Sequence, residues 1–139
     1  MNATAASLVT GLDPDNDEFW RGVGEGRIPL RRCESCGTHF ALPLPSCPDC
    51  GSADLVEVSA GGEGSLYSWV IVHYAWDEEL SPQVPYVIGA VQLDEGARIF
   101  GRVEFVDHGA LEPGLRLRAT FPIEPGRPPI VFVPEVEHA

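Results

Sequence analysis

The sequence predicts a mainly β protein: a short N-terminal helix, a four-cysteine ribbon, then a five-stranded barrel of the OB type. Three observations carry this. Thirteen Pro and fifteen Gly in 139 residues exclude a helical bundle and favour short strands joined by turns. All four cysteines fall in one short stretch as two C-x-x-C-G units. Five β-branched or aromatic runs then follow between residues 61 and 134, a number that fits a small closed barrel. The expected division is 1–27 for a tail and helix, 28–60 for the ribbon and 61–139 for the barrel.

In chain order, residues 1–12 are small and polar. Asp13-Pro14 reads as an N-cap followed by Pro in the first turn, with Asp15, Asp17 and Glu18 placed to favour the positive end of the helix dipole. Phe19, Trp20 and Val23 make one apolar edge, and Gly22, Gly24 and Gly26 end the helix. A helix this short is stable only when docked, either on its own ribbon or on a partner.

Cys33-Glu34-Ser35-Cys36-Gly37 and Cys47-Pro48-Asp49-Cys50-Gly51 are separated by ten residues. Two residues between cysteines let one tight turn aim both thiolates at one ion, and the following Gly supplies the positive φ that such a turn needs. Cys33, Cys36, Cys47 and Cys50 are therefore expected to hold one structural Zn²⁺ in a rubredoxin-like ribbon. Four protein ligands leave no open coordination position, so the metal is not expected to be catalytic. Iron uses similar knuckles, but an independent electron carrier has no need of an attached β domain. Disulfides do not suit paired C-x-x-C units in a chain expected to be cytoplasmic.

Gly61-Gly62-Glu63-Gly64 opens a strand rather than a helix, so it reads as a turn and not as a phosphate loop. The barrel strands are expected at Ser65–Tyr74, Pro85–Leu93, Ala97–Phe105, Leu115–Phe121 and Ile130–Val133, with Asp94-Glu95-Gly96 as a hairpin turn. The fourth run alternates cleanly, with Leu115, Leu117, Ala119 and Phe121 on one face and Arg116, Arg118 and Thr120 on the other. Val106–Gly114 is too short for the helix that many OB-folds carry there and is expected to be a loop. On the third strand Arg98, Phe100 and Arg102 share a face. An Arg–aromatic–Arg face suits a nucleotide-bearing ligand such as CoA, or else is a solvated barrel exterior with an Arg–Glu pair. His39, His73 and His108 are scattered, without an evident orienting partner.

Nine Arg, no Lys and 21 acidic residues give a net charge of −12. Such a surface repels phosphate backbones, and Asp77, Glu78 and Glu79 lie in the loop bordering the face on which OB-folds bind oligonucleotides. A nucleic-acid-binding ribbon/OB module is therefore the weaker reading. No apolar run reaches membrane-spanning length, and a cytoplasmic protein with neither membrane nor nucleic-acid partner is expected.

The order of parts is more specific than any one motif: the helix with Phe19-Trp20, the two knuckles, Gly64-Ser65-Leu66-Tyr67-Ser68-Trp69, Pro85-Tyr86-Val87-Ile88, and Leu93-Asp94-Glu95-Gly96-Ala97-Arg98 with Gly101-Arg102. This order resembles the zinc-ribbon plus OB-fold proteins associated with acyl-CoA enzymes, a family long filed as a domain of unknown function. The resemblance covers roughly residues 15–134. It implies a non-catalytic accessory subunit of a thiolase-like, lipid-transfer-type homodimer, in a heterotetramer that makes or breaks carbon–carbon bonds of CoA thioesters. One setting of such pairs is retro-aldol cleavage in steroid side-chain degradation. It carries over no catalytic residue. Under this reading Phe19 and Trp20 are candidate partner contacts, and Arg98, Phe100 and Arg102 are candidate contacts to a CoA thioester shared with the partner.

Overall fold

The structure is a computed structural model and describes residues 17–78 and 80–135. The N-cap expected at Asp13-Pro14 and the carboxylate of Glu79 lie outside the described residues. Helix α1 (Asp17–Gly24) keeps Asp17 and Glu18 in its first turn. It ends where the Gly26 N–H donates to the Val23 carbonyl and Arg27 N–H to that of Gly22, with Gly26 at φ 84°. Gly22 does more than terminate. A Cβ there would collide with the Pro29 ring, so glycine is what lets the helix lie directly on the first strand.

That strand, β1 (Ile28–Cys33), lies between β2 (His39–Phe40) and β3 (Leu55–Ala60) in an antiparallel sheet. The β1–β3 register runs from Ile28 opposite Ala60 to Cys33 opposite Leu55. The turn at Gly61-Gly62 leads straight into the barrel. Gly62 adopts φ 91° and its carbonyl accepts from the Ala119 N–H at 2.7 Å, while the Gly61 N–H donates to Glu95 Oε2 at 2.8 Å.

The barrel strands are β4 (Glu63–Val72), β5 (Tyr86–Leu93), β6 (Arg98–Val103), β7 (Arg116–Thr120) and β8 (Val131–Pro134). Their order around the closed barrel is β4-β5-β6-β8-β7. All neighbours are antiparallel except β6 and β8, which run parallel. This is the five-stranded OB arrangement the sequence predicts. The hairpin at residues 94–96 forms as expected, with Gly96 at φ 108° and its N–H donating to the Leu93 carbonyl. Between β6 and β7 there is one short 3₁₀ turn, His108–Ala110, and no α-helix.

Alternation puts Leu66, Val87, Val91, Leu93, Ile99, Val103, Leu117 and Phe132 inside the barrel. The same contiguous core takes in Val23, Ile28 and Leu30 from α1 and β1, so helix, ribbon and barrel share one interior. A β-bulge between Leu66 and Ser68 interrupts β4. The extra residue leaves both Tyr67 and Ser68 exposed on the solvent side.

Candidate metal centre and the barrel surface

The two knuckles are built the same way. Cys33 and Cys47 each donate their N–H to the carbonyl five residues on, Thr38 and Ser52, at 2.9 and 2.8 Å. Gly37 and Gly51 donate back to the Cys33 and Cys47 carbonyls, and they stand at φ 81° and 79°. Only a residue without a Cβ takes that conformation at little cost, which is why each unit ends in Gly. Ser35 Oγ and Ser52 Oγ are 3.0 Å apart and tie one knuckle to the other.

The four sulfurs converge, all lying within 4.8 Å of one another. Cys33 and Cys50 Sγ are 3.5 Å apart, and Cys36 and Cys47 Sγ are 3.6 Å apart. A tetrahedral Zn²⁺ with Zn–S bonds of about 2.3 Å needs sulfurs about 3.8 Å apart, so the donors fit one zinc. Cys33 and Cys47 are buried, whereas Cys36 and Cys50 are exposed. Hydrogen bonding with the Thr38 side chain and with its N–H pulls the Cys36 thiol down to about 6. The Ser52 N–H favours the Cys50 thiolate, but hydrogen bonding with Cys33 and Cys36 outweighs it and pushes the Cys50 thiol up to about 12. Four sulfurs this close cannot all ionise without a cation among them. No histidine joins the cluster among the described residues.

Phe19 and Trp20 pair edge to face at 5.2 Å and are half-buried against the chain's own core. Arg98, Phe100 and Arg102 do share the outward face of β6, but the structure does not gather them into one site. Phe100 is 71% exposed, and the Arg98 guanidinium lies 3.6 Å over the Tyr67 ring while its Nε donates to Gln92 Oε1. Arg102 is only 6% exposed. It is covered by Tyr86, whose ring centre is 4.0 Å from the guanidinium, and by Gln83, which accepts from Nη1 at 3.0 Å. Burial lowers its pKa, Glu104 Oε2 lies 3.6 Å away, and Nε has no hydrogen-bond partner among the described residues.

Arg102 instead lines a separate cleft of about 870 Å³ with Gln83, Tyr86, Phe105, His108 and Arg127. Arg127 Nη2 donates to Glu104 Oε1 at 2.8 Å, so two guanidinium groups flank one carboxylate there. Phe105 is held at φ 63° and is 84% exposed, a conformation that costs a bulky residue energy. Sequence reasoning missed Phe105. It also missed Tyr67 and the edge-to-face pair Tyr74–Trp76, whose rings are 67% and 89% exposed. A tryptophan just past a strand end and beside Asp77 was the available signal.

Residues 20–56 match the family model "ChsH2, rubredoxin-like zinc ribbon domain", and residues 57–122 match "ChsH2, C-terminal OB-fold domain". A DUF35 domain-containing scaffold protein of Methanocaldococcus jannaschii is 33% identical over 104 residues, covering 73% of each chain. This chain belongs to the DUF35 family.

Other DUF35 relatives differ in setting. A probable enoyl-CoA hydratase alpha subunit of Thermomonospora curvata is 31% identical over 104 residues, which cover 75% of this chain but only 32% of that protein. The benzoylsuccinyl-CoA thiolase subunit BbsA of Thauera aromatica is 28% identical over 99 residues, covering 69% of this chain and 65% of that one. Among solved structures, a chain of the Ltp2-ChsH2(DUF35) aldolase superposes with a TM-score of 0.74 at 30% identity, covering 89% of this chain and 97% of that chain. The relatives thus include proteins named as DUF35 scaffold proteins and others named as subunits of a hydratase and a thiolase.

Proposed function

We propose that this DUF35 chain is a non-catalytic accessory subunit that docks a thiolase-like, lipid-transfer-type partner acting on acyl-CoA thioesters. The reaction we assign to the assembled pair is carbon–carbon bond cleavage by retro-aldol chemistry, in steroid side-chain degradation in the cytoplasm. The observation that carries this reading is the match to nearly the whole of a chain from an aldolase assembly. The relative named as a thiolase subunit supports the same partner. The metal centre agrees with a non-catalytic role, because four sulfurs fill a zinc ion's tetrahedron and leave no position for substrate or water. We assign one copy of the chain to each subunit of a thiolase-like homodimer, a symmetric heterotetramer.

The CoA thioester is then held mainly by the partner. Within this chain, Arg102 and Arg127 in the cleft between the barrel loops are better placed to meet its phosphates than the flat face carrying Arg98 and Phe100, because the cleft is concave. The half of Phe19 and Trp20 left uncovered by the core remains our proposed partner contact.

Co-expression with a thiolase-like protein of the lipid-transfer type from the same genome, followed by size-exclusion chromatography and an acyl-CoA lyase assay, tests the reading. One complex should elute, and it should be active where neither protein alone turns over substrate. Separate elution with a fully active thiolase-like protein would refute it.

A further inference from the structure

The outer wall made by β4, β5 and β6 carries a cluster of exposed apolar side chains. Register places Val70 beside Ile88, and Ser68 beside Ala90 beside Phe100. The bulge adds Tyr67 to this side, with the Arg98 guanidinium lying on its ring. Tyr67, Val70 and Phe100 are 55%, 60% and 71% exposed. An outward barrel face is ordinarily polar, and exposed apolar side chains this close together mark a surface that meets something else.

The wall is also free of acidic residues. The segments 64–72, 86–93 and 98–103 contain no carboxylate at all, in a chain with 21 acidic residues. Arg27, Arg31, Arg32, Arg116 and Arg127 are each ion-paired within the molecule. Arg98, like Arg21 and Arg118, has no carboxylate paired to it among the described residues, and it alone of the three is stacked on an aromatic ring, Tyr67, with its Nε bonded to the neutral Gln92.

We propose that this wall is a face on which the protein partner docks, in addition to the contact assigned to Phe19 and Trp20. The partner presents an apolar patch with a carboxylate opposite Arg98. The inference rests on the accessory-subunit reading and adds the surface and its complement. Tyr, Phe and Arg are the side chains that anchor protein interfaces, and a stacked guanidinium loses less freedom when it pairs. A nucleic-acid strand fits the wall less well. It has one unneutralised cation where phosphate-tracking faces use several, and Val70 and Ile88 stand where further cations or rings would be required.

The test is calorimetric titration of zinc-loaded protein into the thiolase-like partner. Tyr67→Ser with Phe100→Ser should weaken binding at least about 30-fold with zinc content and circular dichroism unchanged. Arg98→Glu, a single exposed substitution that covers the case of a misfolded double variant, should weaken it at least about ten-fold. Arg98→Gln should flatten the salt dependence of the wild-type affinity. Ile123→Ser, on an exposed loop between β7 and β8, should change nothing. If the wild-type complex forms and both face variants bind as wild type, the partner docks elsewhere and only this inference falls. If no wild-type complex forms, the accessory-subunit reading falls with it. A fluorescent single-stranded oligonucleotide that binds wild type at physiological salt and loses affinity in the double variant would overturn the proposal in favour of nucleic acid.

Discussion

Cys47 is buried, its N–H is committed to Ser52, and its sulfur accepts the Asp49 N–H at 3.4 Å as well as facing Cys36. Removing that sulfur leaves three thiolates unable to complete a tetrahedron, and formation of the site is part of folding. Cys47→Ala is therefore expected to lose both metal and solubility, whereas the native protein should be colourless with about one zinc per chain. Elemental analysis and a visible spectrum check this, and strong visible absorption from native material would assign iron instead. The cysteines were legible because two residues of spacing encode a turn that any chain must make the same way. Arg102 was not. Its cover comes from Gln83, nineteen residues away, across a loop whose path no local pattern describes. Tyr67 was hidden for another reason: alternation counted from Leu66 puts it outside and counted back from Trp69 puts it inside, and only the bulge resolves the two.

At the level of elements, all five barrel strands lie within two residues of their expected ends. Alternation and turn residues fix where a half-buried strand must stop, since one more residue would turn an apolar side chain outward. The ribbon strands were not separately predicted. β2 has only two residues, too few for any period to show, and the knuckles rather than side-chain pattern hold it in place. Glycines inside these elements report packing. A Cβ on Gly101 would come within 2.7 Å of the Phe132 ring, which is fully buried and has no room to yield. Gly101→Ala should cost about 1–3 kcal/mol in urea unfolding, in the range of an overpacked core. Gly24→Ala meets nothing within 4 Å and lies at a helix end, so it should be neutral or stabilise slightly. Equal costs at the two positions would mean that Phe132 can move.

Across the whole molecule, Val23, Ile28 and Leu30 share one apolar interior with the barrel residues. The zinc ribbon is therefore no independent bead on a string. Stripping the metal with a chelator should lower the unfolding temperature reported by the barrel's Trp69, which packs against the core, as well as by the ribbon, in one cooperative transition. Two separate transitions, with the barrel's unchanged, would show that the shared interior does not couple them. Described residues include no helix long and apolar enough to cross a membrane.

Closure of the barrel has an evolutionary consequence. Every barrel strand is hydrogen-bonded on both sides, β7 back to β4 and β6 across to β8. A visiting peptide therefore finds little edge to extend beyond the part of β4 past Leu66 that β7 does not cover, and main-chain recognition, which tolerates almost any sequence, is largely closed to this part of the molecule. Most of what the barrel meets must then be read through side chains. Outward positions on a closed barrel can be exchanged without disturbing the ladder beneath. A lineage of such scaffolds can then change allegiance from one enzyme to another by repainting a wall, while the frame that carries it stays the same.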